Sequence, residues 1–292
     1  MTVPKVSILS VTYNNWHLTE DLLRSIHRIT YPNWEIVIVD NGSSDKVSED
    51  LIIQYPDVIF LRSNKNLGFA GGNNFGMEKC DGDFVLFINN DVEVESDFIE
   101  PLVAAFSEYP NVGMASPRIH YFSPPGVCQY AGCTEINPFT IRNITIGNGQ
   151  KDVGQFLESR ITGYVHGAAM LVSKNVIEKV GMMYEDYFLY YEEYDWCHRI
   201  KKNGYQAIYV GSSLVHHKES ASTGQNSPLR TYYLTRNRLL FARRNFSFKN
   251  RIISMFFFTL VSVPKNIFSL AIKGQFNLIG AFIRGVWWNL IH

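Results

Sequence analysis

Between residues 6 and 109 one unit recurs four times: a short β-rich apolar run, then a stretch with helical spacing. VSILSVT (6–12) precedes HLTEDLLRSIHRI (17–29), and WEIVIVD (34–40) precedes VSEDLIIQY (47–55). DVIFLRS (57–63) precedes FAGGNNFGMEKC (69–80), and DFVLFIN (83–89) precedes SDFIEPLVAAFSEY (96–109), for which Ser96 is the expected N-cap. Strands separated by crossover helices lie parallel, and a parallel sheet needs cover on both faces. The alternation therefore predicts an α/β fold with a mostly parallel central sheet flanked by helices. Such sheets bind ligands beyond the carboxyl ends of their strands.

Those ends are polar. The first strand runs into Thr12, Tyr13, Asn14 and Asn15, the second into Asp40, Asn41 and Gly42, and the fourth into Asn89, Asn90 and Asp91. Any one of these is explained as a turn. Three on the edge where ligands bind point to a site.

Beyond residue 110 the pattern loosens, and 110–160 reads as hairpins or an insertion. VHGAAMLVS (165–173) reads as a strand, EYDWCHRIKKNG (193–204) as a helix ended by Gly204, and YQAIYVG (205–211) as another strand. From Pro228 the chain turns helical. The expected division is a catalytic domain over 1–227 and a helical tail over 228–292. Within the first, a donor half covers about 1–115 and an acceptor half about 116–227. The charge is divided in the same way: no acid follows Glu219, whereas ten lysines and arginines do. A basic tail on an acidic body suggests an anionic partner. Cys80, Cys128, Cys133 and Cys197 form no CxxC pair and read as reduced thiols of a cytosolic protein. The run Val6 to Val11 is too short for a signal-peptide core.

Three further stretches carry chemistry. NLGFAGGNNFG (66–76) has glycines that permit close backbone approach and asparagines that donate and accept. It is neither a Walker loop nor a dinucleotide fingerprint. FLYYEEYDWCHR (188–199) sets Glu192, Glu193 and Asp195 within four residues, which reads either as a charged helix start or as a general base with a raised pKa. LVHHKESAS (214–222) puts His216 and His217 just past a strand, with Asp91 a candidate carboxylate co-ligand.

The set VTYNN, IVIVDNGSSD, NLGFAGGNNFG, LFINNDVEVE, HGAAMLVS, YYEEYDWCHR and VHHKESAS, in that order over residues 6–222, resembles the family 2 glycosyltransferases with the GT-A fold. It looks most like bacterial rhamnosyltransferase-type members that build surface polysaccharides. The resemblance implies inverting transfer from a nucleotide-diphosphate sugar. INND sits at the family's metal motif, so Asp91 would hold Mg2+ or Mn2+, with Asn89 in place of the first acid and Asn90 near the sugar or ribose. His216 aligns best with the late metal-site histidine, with His217 the alternative. Asp40 matches the acid that pairs with the nucleobase, Thr12 and Asn14 match first-strand residues near the nucleotide, and Asn66, Gly68, Phe69 and Asn73 match the donor-side loop. The base falls on Glu193, with Asp195 a rival, and Gly167 and Ala168 would line the floor between donor and acceptor.

The resemblance implies a lipid-linked or polysaccharide acceptor, with dTDP-rhamnose the expected donor and a UDP-hexose the alternative. A non-catalytic sugar-nucleotide-binding module is the reading of another class, disfavoured by the carboxylate trio. A nucleotidyltransferase would want an N-terminal Gly-rich loop with an Arg, which VTYNN lacks. In the tail, IISMFFFTLVSV (252–263) meets Pro264 and Lys265 and falls short of the ~20 residues a membrane span needs. Its bases and the tryptophans Trp287 and Trp288 fit an anionic leaflet, so the expectation is a cytoplasmic enzyme peripheral on the plasma membrane, with a dimer contact the alternative. No nucleic-acid motif accompanies the bases.

Overall fold

The computed structural model describes residues 2–218 and 227–292, so the end of the 214–222 stretch lies outside the described residues. Strands β1 (Val6–Thr12), β2 (Trp34–Asp40), β3 (Val58–Arg62) and β4 (Phe84–Ile88) are parallel and lie in the order β3-β2-β1-β4. Register sets Thr12 beside Asp40 and Asp40 beside Arg62, so the polar strand ends stand together. Helix α1 (Trp16–Ile26) buries Leu18, Leu22, Leu23 and Ile26, a single apolar stripe. Helix α2 (Glu49–Gln54) is capped by the Ser48 hydroxyl. Helix α3 (Gly68–Met77) is the glycine-rich stretch. Its glycines admit the sheet: a Cβ on Gly76 would stand 2.3 Å from Leu9 Cδ1, and one on Gly72 2.9 Å from Val11 Cγ1.

Beyond β4 the sheet is mixed. It continues through β5 (Val92–Val94), β6 (Val112–Tyr121), β10 (Ala169–Ser173) and β11 (Gln206–His217). Strand β10 lies between β4 and β6 and is antiparallel to both, β11 is parallel to β6, and β5 closes the edge antiparallel to β11. No crossover helix precedes β10; instead the chain forms β7 (Val127–Tyr130), β8 (Gln150–Lys151) and β9 (Arg160–Ile161). An antiparallel neighbour needs no crossover. The expected hairpins at 110–160 thus include a central ten-residue strand, β6, with Pro117 inside it. Pro117 is tolerated there because the β11 register shifts between Val210 and Leu214, opposite it. Helix α4 (Ile99–Glu108) begins at Phe98 without a side-chain cap; Ser96 instead accepts the Thr30 N–H through its carbonyl, at 2.8 Å.

Helices α5 (Lys174–Val180) and α6 (Glu192–Lys202) complete the body. Helix α7 (Pro228–Asn245) opens the C-terminal part, followed by α8 (Phe248–Phe257), a π-helical turn (Phe258–Ser262), α9 (Val263–Ile272) and α10 (Phe276–Ile291). Leu239, Phe241 and Ala242 of α7 belong to the same apolar core as the sheet. Four of the tail's bases also face inward or along it: Arg244 lies 3.5 Å from Asp195, Arg236 and Arg238 donate to backbone carbonyls of the body, and Arg243 donates to Asn289 O.

The expectation that the apolar run falls short of a membrane span is corrected. Residues 248–272 form one 25-residue helix, long and apolar enough to cross a membrane by length and composition. The π-helical turn widens the backbone just before Pro264 and so accommodates a ring that would kink an uninterrupted α-helix.

Candidate active site

The donor-side edge is built by asparagines bonding the turns to one another. Asn14, at φ 58°, receives the Ser44 N–H on its Oδ1 at 2.8 Å, while its own N–H donates to Ser43 Oγ at 2.9 Å. Asp40 is 3% exposed; its carboxylate accepts the Ser43 N–H at 2.9 Å and pairs with Arg62. Asn66 Oδ1 accepts the Gly68 N–H at 2.8 Å, and Asn41 donates to Gly68 O at 2.9 Å. Gly68 sits at φ 74°, and a Cβ there would stand 2.2 Å from Phe188 O. The close approach expected at this glycine is thus to the chain's own 188 backbone, which also accepts the Phe69 N–H at 2.6 Å. Thr12 and Asn73 are buried, Asn73 donating to Phe69 O at 2.9 Å inside its helix. Both brace the edge from beneath it.

At the end of β4, the Asn90 amide donates to Thr12 Oγ1, Thr19 Oγ1 and Asn15 O at 3.2–3.3 Å. Its side-chain nitrogen therefore ties β4 to β1 and α1, where contact with sugar or ribose was expected. Asp91 is 7% exposed, and His217 Nε2 stands 3.1 Å from its Oδ1. His216 is corrected as the metal histidine: it points the other way, to Glu95 Oε1 at 2.9 Å. Consecutive residues of a strand face opposite sides, and both histidines lie within β11.

Asp91 Oδ1 is buried and has no hydrogen-bond partner even with His217 Nε2 at 3.1 Å, so the two atoms approach without bonding. His217 Nδ1 lies 2.9 Å from Gln129 Oε1, an acceptor, which leaves Nε2 with a free lone pair. Two ligands at right angles about an ion with bonds of about 2.1 Å stand about 3 Å apart. The pair therefore fits a divalent cation. Among the described residues no third histidine, cysteine or carboxylate completes a metal cluster, so remaining ligands would come from solvent or the donor's phosphates. His166, whose ring lies 6.2 Å from that of His217, is held neutral: burial pushes its pKa down to about 3.

The carboxylate trio divides by environment. Asp195 accepts from Tyr187 Oη at 3.0 Å, Asn245 at 2.8 Å and Arg199 Nε at 2.9 Å, so it is an anchored structural anion and is corrected as the rival base. Glu192 and Glu193 each bury an unpartnered Oε2. Burial, then the Glu193 charge, raises Glu192 well above the usual carboxylate range, and burial pushes Glu193 up to about 7. Both carboxyls are thus pushed upward by burial, and Glu193, at about 7, is suited to take up a proton near neutrality. Glu193 Cγ lies 3.6 Å from where a Cβ on Gly167 would stand, so the strip 166–167 separates the carboxylate from the Asp91–His217 pair. Ala168, next along, is buried and accepts the Asn89 N–H at 2.9 Å.

The loop before Glu192 is strained, with Phe188, Tyr190 and Tyr191 at φ 62°, 69° and 75°. Two neighbouring side chains of α7 hold it, Arg236 donating to Asp186 O and Tyr187 O beside Asn237. Asn237 of α7 donates from Nδ2 to Tyr187 O at 2.8 Å, Leu189 O at 2.7 Å and Tyr190 O at 2.8 Å, while its Oδ1 accepts from Arg236 Nε at 2.8 Å. Nothing in the sequence pattern marks this residue. Asn237→Ala leaves three buried carbonyls without that donor, so turnover should fall about 10–100-fold with donor-nucleotide affinity unchanged. Steady-state kinetics beside nucleotide titration on the folded variant checks this.

Residues 7–181 match the family model described as glycosyl transferase family 2. The low-salt glycan biosynthesis hexosyltransferase of Haloferax volcanii is 28% identical over 247 residues, 82% of this chain and 76% of the relative. The N-acetylglucosaminyl-diphospho-decaprenol L-rhamnosyltransferase of Mycobacterium tuberculosis is 28% identical over 240 residues, 75% of this chain and 78% of the relative. Among solved structures, the Pyrobaculum calidifontis mannosyltransferase in complex with GDP-Man and Mn2+ superimposes with a TM-score of 0.63 at 17% identity, covering 99% of this chain and 88% of that one. GalNAc-T7 with UDP, GalNAc and Mn2+ gives 0.64 at 16% identity, covering 80% and 47%. The expected GT-A fold is thereby found, and the chain belongs to glycosyltransferase family 2.

Proposed function

We propose that this glycosyltransferase moves a sugar, with inversion, from a nucleotide-diphosphate donor to a hydroxyl of a lipid-linked acceptor. The observation that carries the reading is the convergence of the Asp91–His217 pair and the Glu193 carboxylate on the strip 166–167. Asp91 and His217 would hold Mg2+ or Mn2+, whose charge would offset that developing on the departing diphosphate. Glu193 takes the proton of the acceptor hydroxyl as that oxygen attacks the anomeric carbon. A single in-line displacement inverts the configuration. Asn14, Asp40 and Asn66 hold the edge that receives the nucleotide.

The mycobacterial relative's name supports L-rhamnose as the transferred sugar and a lipid diphosphate acceptor; dTDP-rhamnose is the donor proposed here, with a UDP-hexose the rival. Ile252, Phe256, Leu260, Phe268 and Ile272 of the 248–272 helix are exposed apolar side chains, which supports docking at the inner face of the plasma membrane. Titration calorimetry with dTDP and UDP, each with and without Mn2+, tests the donor reading. Metal-dependent binding is expected, and the tighter nucleotide names the donor class. Failure of a folded sample to bind either would overturn it.

A further inference from the structure

Beside the carboxylates, a groove of about 430 Å3 opens between α7, the 248–272 helix, α10 and Arg142. Phe258, Leu270 and Phe282 make one side apolar, whereas Arg142, Arg238 and Lys273 bring three cations to it. Among the described residues no acid lines the groove. Arg238 is 7% exposed, and its Nε is buried with no hydrogen-bond partner. Its guanidinium lies 5.0 Å over the Phe258 ring and donates to Thr140 O from the far nitrogen. Burial, and then the neighbouring Arg142 charge, work against protonation of Arg238, whose pKa falls to about 10. A buried guanidinium with an unpartnered N–H, beside two exposed cations, is better satisfied once an anion arrives.

Two further features identify that anion. Arginine forks suit phosphate oxygens better than point charges do. The groove itself carries an apolar wall made by Phe258, Leu270 and Phe282. An anion joined to a long hydrocarbon fits both. The groove also opens toward the acceptor side. Tyr191 lines it, and the Tyr191 hydroxyl feels the charges of Arg238, Glu193 and Arg142 together. The Asp91–His217 pair lies beyond the 166–167 strip.

We propose that this groove binds the diphosphate of a lipid-linked acceptor through Arg142, Arg238 and Lys273, with the first sugar reaching Glu193 past Tyr191 and the hydrocarbon seated on the wall of Phe258, Leu270 and Phe282. The proposal rests on reading the chain as a transferase with a lipid-linked acceptor.

The test is calorimetric titration of the full chain in neutral detergent with undecyl diphosphate, inorganic pyrophosphate and undecyl glucoside. Each is repeated with Arg142→Gln/Lys273→Gln, two exposed positions whose replacement leaves the core intact. Undecyl diphosphate should bind at least tenfold more tightly than either of the other probes and lose at least tenfold in the double variant. Equal binding by the variant, or by undecyl glucoside, would overturn the cationic site. Pyrophosphate binding as tightly as undecyl diphosphate would show a free-anion site and sink the lipid assignment. Titration of the same samples with dTDP or UDP and Mn2+ separates the two readings. Donor binding without undecyl diphosphate binding overturns the groove alone, and the reverse overturns the donor reading alone.

Discussion

Glu193→Gln lowers sugar transfer by about three orders of magnitude and leaves donor-nucleotide affinity within about twofold. The amide keeps the shape and the place beside Gly167 but cannot accept a proton. The same group sets the pH dependence. Burial holds its carboxyl up to about 7, so transfer by the parent enzyme should rise with pH through that region. Stability should move the opposite way. The folded chain retains this proton when the unfolded chain has released it, so folding takes up a proton between pH about 4.5 and 7. Stability from this group therefore falls across that window and stays lowered above it, by an amount on the order of 3 kcal/mol. Glu193→Gln should accordingly melt higher than the parent at pH 8 and alike at pH 4. A pH-independent difference in melting, or an active Gln variant, would remove Glu193 from the role of base.

Asp91→Asn and His217→Ala should each abolish the Mn2+-dependent part of nucleotide binding, with activity falling about 100-fold or more. His216→Ala is the control on the same strand. Its imidazole meets Glu95 on the opposite side, where a half-exposed pair contributes little, so metal-dependent binding should change less than about threefold. Calorimetry with Mn2+ present and absent reads all three variants. Loss in His216→Ala with retention in His217→Ala would reverse the assignment.

That pair of histidines shows what the sequence carried and what it lacked. The strands of the donor half were legible because apolar runs alternate with helical spacing, and their polar ends followed from the parallel order. The choice between His216 and His217 needed the strand to be seen to run through them. With β11 extending to His217, the alternation from buried Val215 sets His217 on the inner face. Asp195 carried a readable signal as well, since Arg199 four residues on is its helical partner. Strand β6 was hidden because Ser116, Pro117 and Arg118 interrupt its apolar pattern, and only a bulge in the neighbouring strand accommodates them. Asn237 was invisible for a different reason: its partners lie 47–50 residues away, and no local pattern marks a side chain that serves a distant backbone.

The clamp from Asn237 has a consequence for the order in which the molecule comes into being. Synthesis delivers the sheet, Asp91, His217 and the carboxylates before α7, and domains begin to fold as they emerge. Until residue 237 leaves the ribosome, the backbone at 187–190 lacks the amide that holds its three carbonyls. A half-made chain thus holds Asp91, His217 and Glu193 while the backbone that leads into Glu192 still lacks its clamp.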